Sequence, residues 1–218
     1  MNRQPLWAAL ALSATTFAAQ AQVQITEWMY SGNGPEFIEF TNMGSTAISL
    51  VGWSFDDDSR TAGVVNLSGL GTLGVGESLI LTEASAADFR AAWGLASTVK
   101  VQGNNTTNLG RNDEINLFNA SGSLVDRLTY GDQNFAGTIR TQTSSGSPVS
   151  LQALGATTVG AGWVLSSTSD AYGSYLSAQG DVGNPGSFIF APVPEASTWA
   201  LMAAGLGMVG AALRRRQA

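Results

Sequence analysis

Short apolar segments separated by turn-forming residues constrain the fold of this chain more than any other feature. In residues 23–30, Val23 and Ile25 alternate with Gln24 and Thr26, and a period of two is typical of a β-strand. Similar segments recur at residues 36–42, 48–55, 64–67, 78–82, 99–101, 114–118, 123–130, 149–151, 162–165 and 188–190. Many short strands at such spacing favour a β-sandwich. We therefore predict an all-β domain over residues 22–190.

One helix, one hairpin and one long loop are predicted within this domain. Ser85 and Asp88 have capping-box spacing and Gly94 ends the helical pattern, so residues 85–94 form one short helix. A glycine-bearing turn at 119–122 joins its flanking strands into a hairpin. Residues 167–184 are polar and rich in serine and glycine, which indicates a long loop. We expect the tryptophans of the domain to be core residues rather than a sugar-binding platform: Trp28, Trp53, Trp93 and Trp163.

The chain contains no cysteine and no histidine. Without cysteine there is no thiol nucleophile and no thiolate metal site, and a β-domain of this size can hold together by packing alone. Without histidine, a Ser-His-Asp triad cannot form, and the commonest general base and metal ligand are missing. We therefore expect a protein that is not an enzyme and that binds no cofactor.

Charged residues exclude one class of partner and leave one candidate metal site. Residues 22–194 carry six basic and 15 acidic side chains, a net charge of −9, which is a poor surface for nucleic acid. Asp56, Asp57 and Asp58 form the one dense acidic run and are the candidates for a calcium site, although a solvated turn is the simpler interpretation. Glu36 and Glu39 fall on opposite faces of their predicted strand, so we do not expect an acid/base pair there.

Several ordered motifs of the body resemble the lamin tail domain family. They are the strand 36–42 (EFIEFTN), the stretch 48–56 (ISLVGWSFD), the step 74–81 (GVGESLIL), the hairpin 109–130 and the close 183–186 (GNPG). The core of the resemblance spans residues 23–132. It implies an immunoglobulin-like β-sandwich and a role in binding or display rather than catalysis.

The N-terminus has the three parts of a secretory signal peptide. Arg3 provides the basic flank, an apolar run follows, and Ala19 and Ala21 are small residues at the positions that a signal peptidase inspects. The apolar run is too short to span a membrane. We predict that residues 1–21 are a signal peptide and that cleavage follows Ala21.

The C-terminus combines a short motif, an apolar segment and a basic cluster. Residues 198–213 are uncharged and would form a helix of about 24 Å, slightly less than the hydrocarbon thickness of a bilayer. Arg214, Arg215 and Arg216 follow and would remain on the cytoplasmic side. The sequence predicts a single C-terminal transmembrane helix.

The stretch before this helix is not explained by a simple membrane anchor. Val193, Pro194, Glu195 and Ala196, followed by the helix and the arginines, resemble the PEP-CTERM sorting signal, with Ala196 where a second proline is usual. The resemblance covers residues 193–218. It implies recognition by an exosortase-type membrane enzyme, cleavage near Pro194 and Glu195, and release from a transient inner-membrane anchor to the cell surface or extracellular matrix.

These observations lead to one principal functional hypothesis and two alternatives. The principal hypothesis is an exported, non-enzymatic protein that displays a lamin-tail-like domain, with exopolysaccharide or other surface proteins as further partners. The first alternative is a calcium- or carbohydrate-dependent adhesion module. The second is a secreted hydrolase, which the missing histidine and cysteine disfavour.

Overall fold

The computed structural model describes residues 22–189. The predicted signal peptide with its cleavage residues Ala19 and Ala21 lies outside the described residues. So do the sorting residues 193–196, the predicted transmembrane helix 198–213 and the arginines 214–216. No helix within residues 22–189 is both long and apolar enough to cross a bilayer.

The body consists mainly of β-strands arranged in two principal sheets. The six-stranded sheet has the order β12-β11-β1-β2-β7-β8, and only its β7–β8 edge pair is parallel. The four-stranded antiparallel sheet has the order β10-β9-β4-β5, and two smaller pairs are β3-β6 and β13-β14. The strands are β1 (Val23–Met29), β2 (Phe37–Asn42), β3 (Ile48–Ser49), β4 (Ser54–Asp56), β5 (Val65–Asn66), β6 (Thr72–Leu73), β7 (Ser78–Thr82), β8 (Lys100–Gln102), β9 (Asn112–Phe118), β10 (Leu124–Gly131), β11 (Gly146–Pro148), β12 (Trp163–Leu165), β13 (Tyr175–Leu176) and β14 (Val182–Gly183).

The main hydrophobic core lies between these two sheets. Trp28 is fully buried at its centre and contacts Tyr130 and Trp163, with ring centroids 5.3 and 4.9 Å away. Phe40 of β2 faces Phe55 of β4 across the sandwich at 6.3 Å. Alternating apolar residues of both sheets thus form one continuous core, as the period-two pattern predicted.

The helix predicted at residues 85–94 is confirmed and covers part of the outer face of the six-stranded sheet. Helix α1 (Ala86–Trp93) is capped by the Ser85 hydroxyl, which accepts a hydrogen bond from the Asp88 amide, and it ends at Gly94 in the left-handed conformation. A buried face of the helix, including Phe89 and Trp93, packs against Phe37 at centroid distances of 5.5 and 5.7 Å. Both faces of β1 and β2 are therefore buried.

A β-bulge in β1 decides which side chains enter the core. The register passes from the pair Ile25–Phe40 to the pair Glu27–Glu39, so Thr26 is an extra residue. Under uninterrupted alternation, Glu27 would share the core face of Ile25. The bulge instead turns Glu27 to the outer face, beside Met29, and puts Trp28 into the core. The side-chain carboxylate of Asp126 in β10 secures the bulge, since its Oδ2 accepts the Ile25 amide hydrogen at 2.8 Å.

Three local predictions need correction. Besides α1 there is a second short helix, α2 (Leu151–Leu154), capped by Ser150, where a strand was expected. A 3-10 helix also occupies Ser68–Leu70. The segment 167–184, expected to be a loop, contains the strand pair β13-β14, and residues 188–189 form no strand. Strands β13 and β14 were missed because two residues are too few to show a period.

Residues 170–187 form a C-terminal strap over the remaining part of the outer face. The Ser145 amide donates to the Val182 carbonyl, the Ala178 amide donates to the carbonyl of Ala92 in α1, and the Tyr175 hydroxyl donates to the Trp93 carbonyl. Asp181 is fully buried, and its carboxylate accepts the amides of Asn33 and Gly34 in the β1–β2 turn. The strap is thus an integral part of the fold.

Candidate functional site

The candidate calcium residues lie in a turn after β4. Asp56 is buried, and its Oδ2 accepts hydrogen bonds from the Ser59 hydroxyl and the Thr61 amide, both at 2.6 Å. Asp57 Oδ1 accepts the Ser59 amide at 3.3 Å, whereas Asp58 is exposed. Within residues 22–189, no three acidic side chains converge as metal ligands. The local role of Asp56 is therefore to close the turn.

A cleft of about 250 Å³ opens beside this turn, at one end of the four-stranded sheet. One wall comes from the hairpin β9–β10 and the other from the turn, and Phe135 stands at the rim with 37% of its surface exposed. The lining is Asp58, Arg60, Asn112, Asp113, Glu114, Thr129, Tyr130, Asn134 and Phe135. An exposed aromatic ring beside planar polar groups is a surface that a hydroxyl-rich ligand can contact.

The charges of the cleft are organised around Glu114. The Arg60 guanidinium donates two hydrogen bonds to its carboxylate, at 2.7 and 2.5 Å, and the Thr129 hydroxyl donates a third at 3.0 Å. The hydrogen bond from Arg60 is the main reason that the pKa of Glu114 is lowered to about 2. Glu114 is consequently ionised at neutral pH and forms an ion pair with Arg60.

A second group of carboxylates, which no sequence pattern indicated, lies beneath the strap. Glu27 and Glu39 are cross-strand partners in β1 and β2, and they are only 2% and 1% exposed. Directly opposed residues of an antiparallel pair have Cβ atoms about 5 Å apart. Simple alternation could not reveal this pair, because it forms only through the bulge at Thr26.

Each of these carboxylates holds one backbone amide of the strap. Glu27 Oε1 accepts the Asn184 amide at 2.9 Å and also the Ser145 hydroxyl, and Glu39 Oε2 accepts the Gly186 amide at 2.6 Å. Burial is the main cause of a Glu27 pKa raised to about 8, and the charge of Glu39 raises it further. The pKa of Glu39 is raised by burial as well. The pair therefore retains protons at pH values where exposed glutamates have lost them.

Glu36 occupies a separate environment, as expected from its place in the sequence. Both of its carboxylate oxygens accept the Leu109 amide, at 3.1 and 3.0 Å, far from the strap contacts of Glu39. Burial raises its pKa to about 8. The prediction that the two glutamates do not act as a pair agrees with these separate partners.

The tryptophans lie in the interior, as predicted. Trp28, Trp53, Trp93 and Trp163 are between 0 and 9% exposed. Within the part of the chain that the structure describes, these four side chains form no platform on which a sugar could stack, whereas the ring of Phe135 is exposed.

Comparison with protein families gives two matches along the chain. The model of the lamin tail domain matches residues 16–132, and the model of the PEP-CTERM protein-sorting motif matches residues 192–216. A search of curated proteins found no match. The β-rich, immunoglobulin-like body agrees with the first match, and the second marks the chain for export and membrane-associated sorting. The chain therefore belongs to the lamin tail domain family and carries a PEP-CTERM sorting motif at its C-terminal end.

Proposed function

We propose that this chain is an exported, non-enzymatic surface or matrix protein that presents its lamin tail domain as a binding or structural module. The observation that carries the proposal is the presence of both family matches on separate parts of one chain, residues 16–132 and 192–216. The signal peptide at 1–21 starts the export, and an exosortase-type membrane enzyme completes it. Exopolysaccharide and other surface proteins are the partners expected at the final location, and nucleic acid is not.

In the proposed route, the C-terminal segment is an address that also acts as a temporary anchor. The apolar residues 198–213 hold the exported body at the inner membrane, and the arginines 214–216 stop transfer on the cytoplasmic side. The enzyme reads Val193, Pro194, Glu195 and Ala196 and cleaves near Pro194. The body is then released to the cell surface or matrix.

The chemistry of the described residues supports a non-catalytic role. The most strongly perturbed carboxylate pair, Glu27 and Glu39, is sealed beneath the strap, so a substrate could not reach it in this structure. In the open cleft, the Glu114 carboxylate already accepts hydrogen bonds from Arg60 and Thr129. A glycosidase needs two carboxyl groups that flank the substrate, one of them protonated. The low pKa of Glu114 removes it as the acid. Burial raises the pKa of Asp113 in the same cleft, but both of its carboxylate oxygens already accept backbone amides, those of Gly110 and Glu114.

The test of the sorting proposal distinguishes a sorting signal that an enzyme recognises and cleaves from a simple membrane anchor. An anchor needs only length, apolarity and flanking charge, so Pro194→Ala with Glu195→Ala should not affect it. A processed signal should fail in this variant, leaving the full-length chain in the inner membrane of a host that carries an exosortase. Intact mass spectrometry of released and membrane-bound protein gives the answer. Surface protein that still ends at Ala218 in the native chain would contradict the proposal.

The cleft beside β9–β10 favours a second candidate function, saccharide binding. Its lining combines the exposed ring of Phe135 with Asn112, Asn134 and the planar Arg60–Glu114 pair. Acidic residues outnumber Arg60 in this lining, which favours neutral or amino sugars over uronic acids. Calorimetry of the full-length protein with neutral, glucosamine and galacturonate oligosaccharides tests this candidate.

Two variants make the saccharide experiment specific to the cleft. Phe135→Ala should weaken binding, and Leu176→Ala, at a more exposed apolar residue on the strap, should not. Binding that requires added calcium would instead support a cation-dependent adhesion module. Binding that is insensitive to Phe135→Ala would place the ligand elsewhere.

A further inference from the structure

The strap is fastened by groups that can change charge. Asn184 and Gly186 donate their amides to Glu27 and Glu39, and the strap approaches so closely that a Cβ atom on Gly183 would lie 2.8 Å from Glu27 Oε1 and 2.9 Å from the Ser145 hydroxyl. Glu27 Oε2 is buried and has no hydrogen-bond partner. The carboxyl pair and the strap thus form one closely packed, water-excluding layer.

No basic side chain compensates the pair in the described part of the chain. The ion pairs of residues 22–189 engage other carboxylates, namely Glu77, Glu114 and Asp132. Apart from those of the strap, the polar side chains that surround the pair are uncharged hydroxyls, namely those of Thr26, Thr41, Ser78 and Ser145. The Trp93 ring of α1 lies beside the strap at Gly183. The strap itself contributes Asp170, whose charge also raises the pKa of Glu27, and the phenol of Tyr175. Ionisation of both glutamates would therefore place uncompensated like charges in a buried site.

We infer that Glu27 and Glu39 form a proton-dependent latch that holds the C-terminal strap closed on the sheet and lets it open as the pH rises. While the pair holds a proton, a carboxyl oxygen still accepts each strap amide and at most one negative charge is buried. When the last proton leaves, the two carboxylates repel each other, and opening the strap relieves the repulsion by admitting water.

The direction of the pH dependence follows from linkage. In the closed state the pKa of Glu27 is raised to about 8, whereas in water it would return to its ordinary value of 4.5. The closed state therefore binds protons more tightly, so its advantage is complete below about pH 4.5 and is lost as the pH rises to about 8. Within this window, the opening constant should increase up to about tenfold per pH unit for each proton released.

Opening the strap would change the length of chain between the domain and its sorting motif. In the closed state, six residues, 187–192, separate Gly186 from Val193, which is at most about 20 Å of extended chain. Release of the whole strap would add residues 170–186 to this tether. Opening of the strap would therefore increase the greatest possible distance between the domain and the segment that the sorting enzyme reads. This role rests on the proposed sorting function.

The latch is tested by hydrogen exchange of the full-length protein in detergent at pH 5, 6, 7, 8 and 9. The rates of strap peptides that include Asn184 and Gly186 are divided by those of the unfolded chain at the same pH, which removes the intrinsic base catalysis. We expect strap protection to fall by at least about tenfold between pH 5 and 9. Unchanged strap protection over this range would overturn the inference.

Glutamine variants assign the effect to the pair. Glu27→Gln and, separately, Glu39→Gln keep an amide oxygen as acceptor but remove the ionisation, so each should flatten the pH dependence of the strap. Glu36→Gln is the matched control, since Glu36 is also buried and its pKa is also raised to about 8, but it holds Leu109 instead of the strap. Native pH dependence in both pair variants, or its loss in the Glu36 variant, would overturn the latch. Neither result would affect the sorting proposal, which is measured by mass.

Discussion

Replacing Glu36 by glutamine should leave the stability of the protein nearly unchanged at acidic pH and raise it at alkaline pH. Glu36 is 6% exposed, and burial raises its pKa from 4.5 to about 8. A shift of this size corresponds to about 4–5 kcal/mol of folding free energy. Because the folded state binds the proton more tightly, this stabilisation is complete below about pH 4.5 and is lost as the pH rises to about 8. Above that pH, the native protein holds a buried charge that glutamine would not carry.

The expected magnitudes follow from the contacts that glutamine keeps. Its amide oxygen can still accept the Leu109 amide, so Glu36→Gln should change the free energy of unfolding by less than about 1 kcal/mol at pH 5. At pH 9 the variant should be more stable than the native protein by about 2–4 kcal/mol, somewhat less than the full shift because water can reach a destabilised site.

Urea denaturation of residues 22–192, followed by tryptophan fluorescence at pH 5, 7 and 9, measures these differences. This segment contains both described hydrophobic cores. Glu83→Gln provides a graded second variant, since the charge of Glu83 contributes to the raised pKa of Glu36, and its removal should reduce the pH dependence without abolishing it. An equal loss of stability at pH 5 and pH 9 in Glu36→Gln would refute the argument, because the residue would then act only through packing.

Substitutions at three further positions test the fold. Trp53→Ala should lower the free energy of unfolding by about 3–5 kcal/mol, as expected for a large aromatic residue in the core, and an unchanged melting temperature would show that Trp53 is not part of it. Asp126→Ala should cost about 1–3 kcal/mol because the Ile25 amide loses its acceptor, whereas Asp126→Asn, which keeps an oxygen there, should cost less; equal losses in urea titrations would contradict this role. Gly183→Ala should loosen the strap, since the added methyl group would clash with Glu27 and Ser145, and hydrogen exchange at Asn184 that is no faster than in the native protein would count against the close packing.

Local signals sufficed wherever an element depends on its own residues. The cap formed by Ser85 and Asp88 and the terminal glycine at 94 specify α1 without help from the rest of the chain. The four-residue turn at 119–122 likewise brings β9 and β10 together as a hairpin, with Leu124 opposite Phe118 next to the turn. The same holds for the two family resemblances, because they depend on motifs that are contiguous in sequence.

The strands of the strap could not be predicted, because they are short and depend on partners elsewhere in the fold. Strands β13 and β14 have two residues each, too few to show a period. They exist because the strap lies across α1 and the sheet, where the Ala92, Trp93 and Thr143 carbonyls accept its hydrogen bonds. Because such partners are distant in sequence, no local sequence pattern predicts these strands.

The sequence by itself determined that the body is rich in β-strands and that residues 85–94 form a helix. It also determined that the tryptophans of the body are buried and which families residues 16–132 and 192–216 match. Only the tertiary structure decided where the carboxylates lie. One extra residue in β1, Thr26, turns Glu27 away from the core and places it opposite Glu39, and a segment more than 140 residues away then covers both. The physical reason is that burial and charge proximity, which raise the pKa values of this pair, are properties of strand register and chain crossing rather than of residue order.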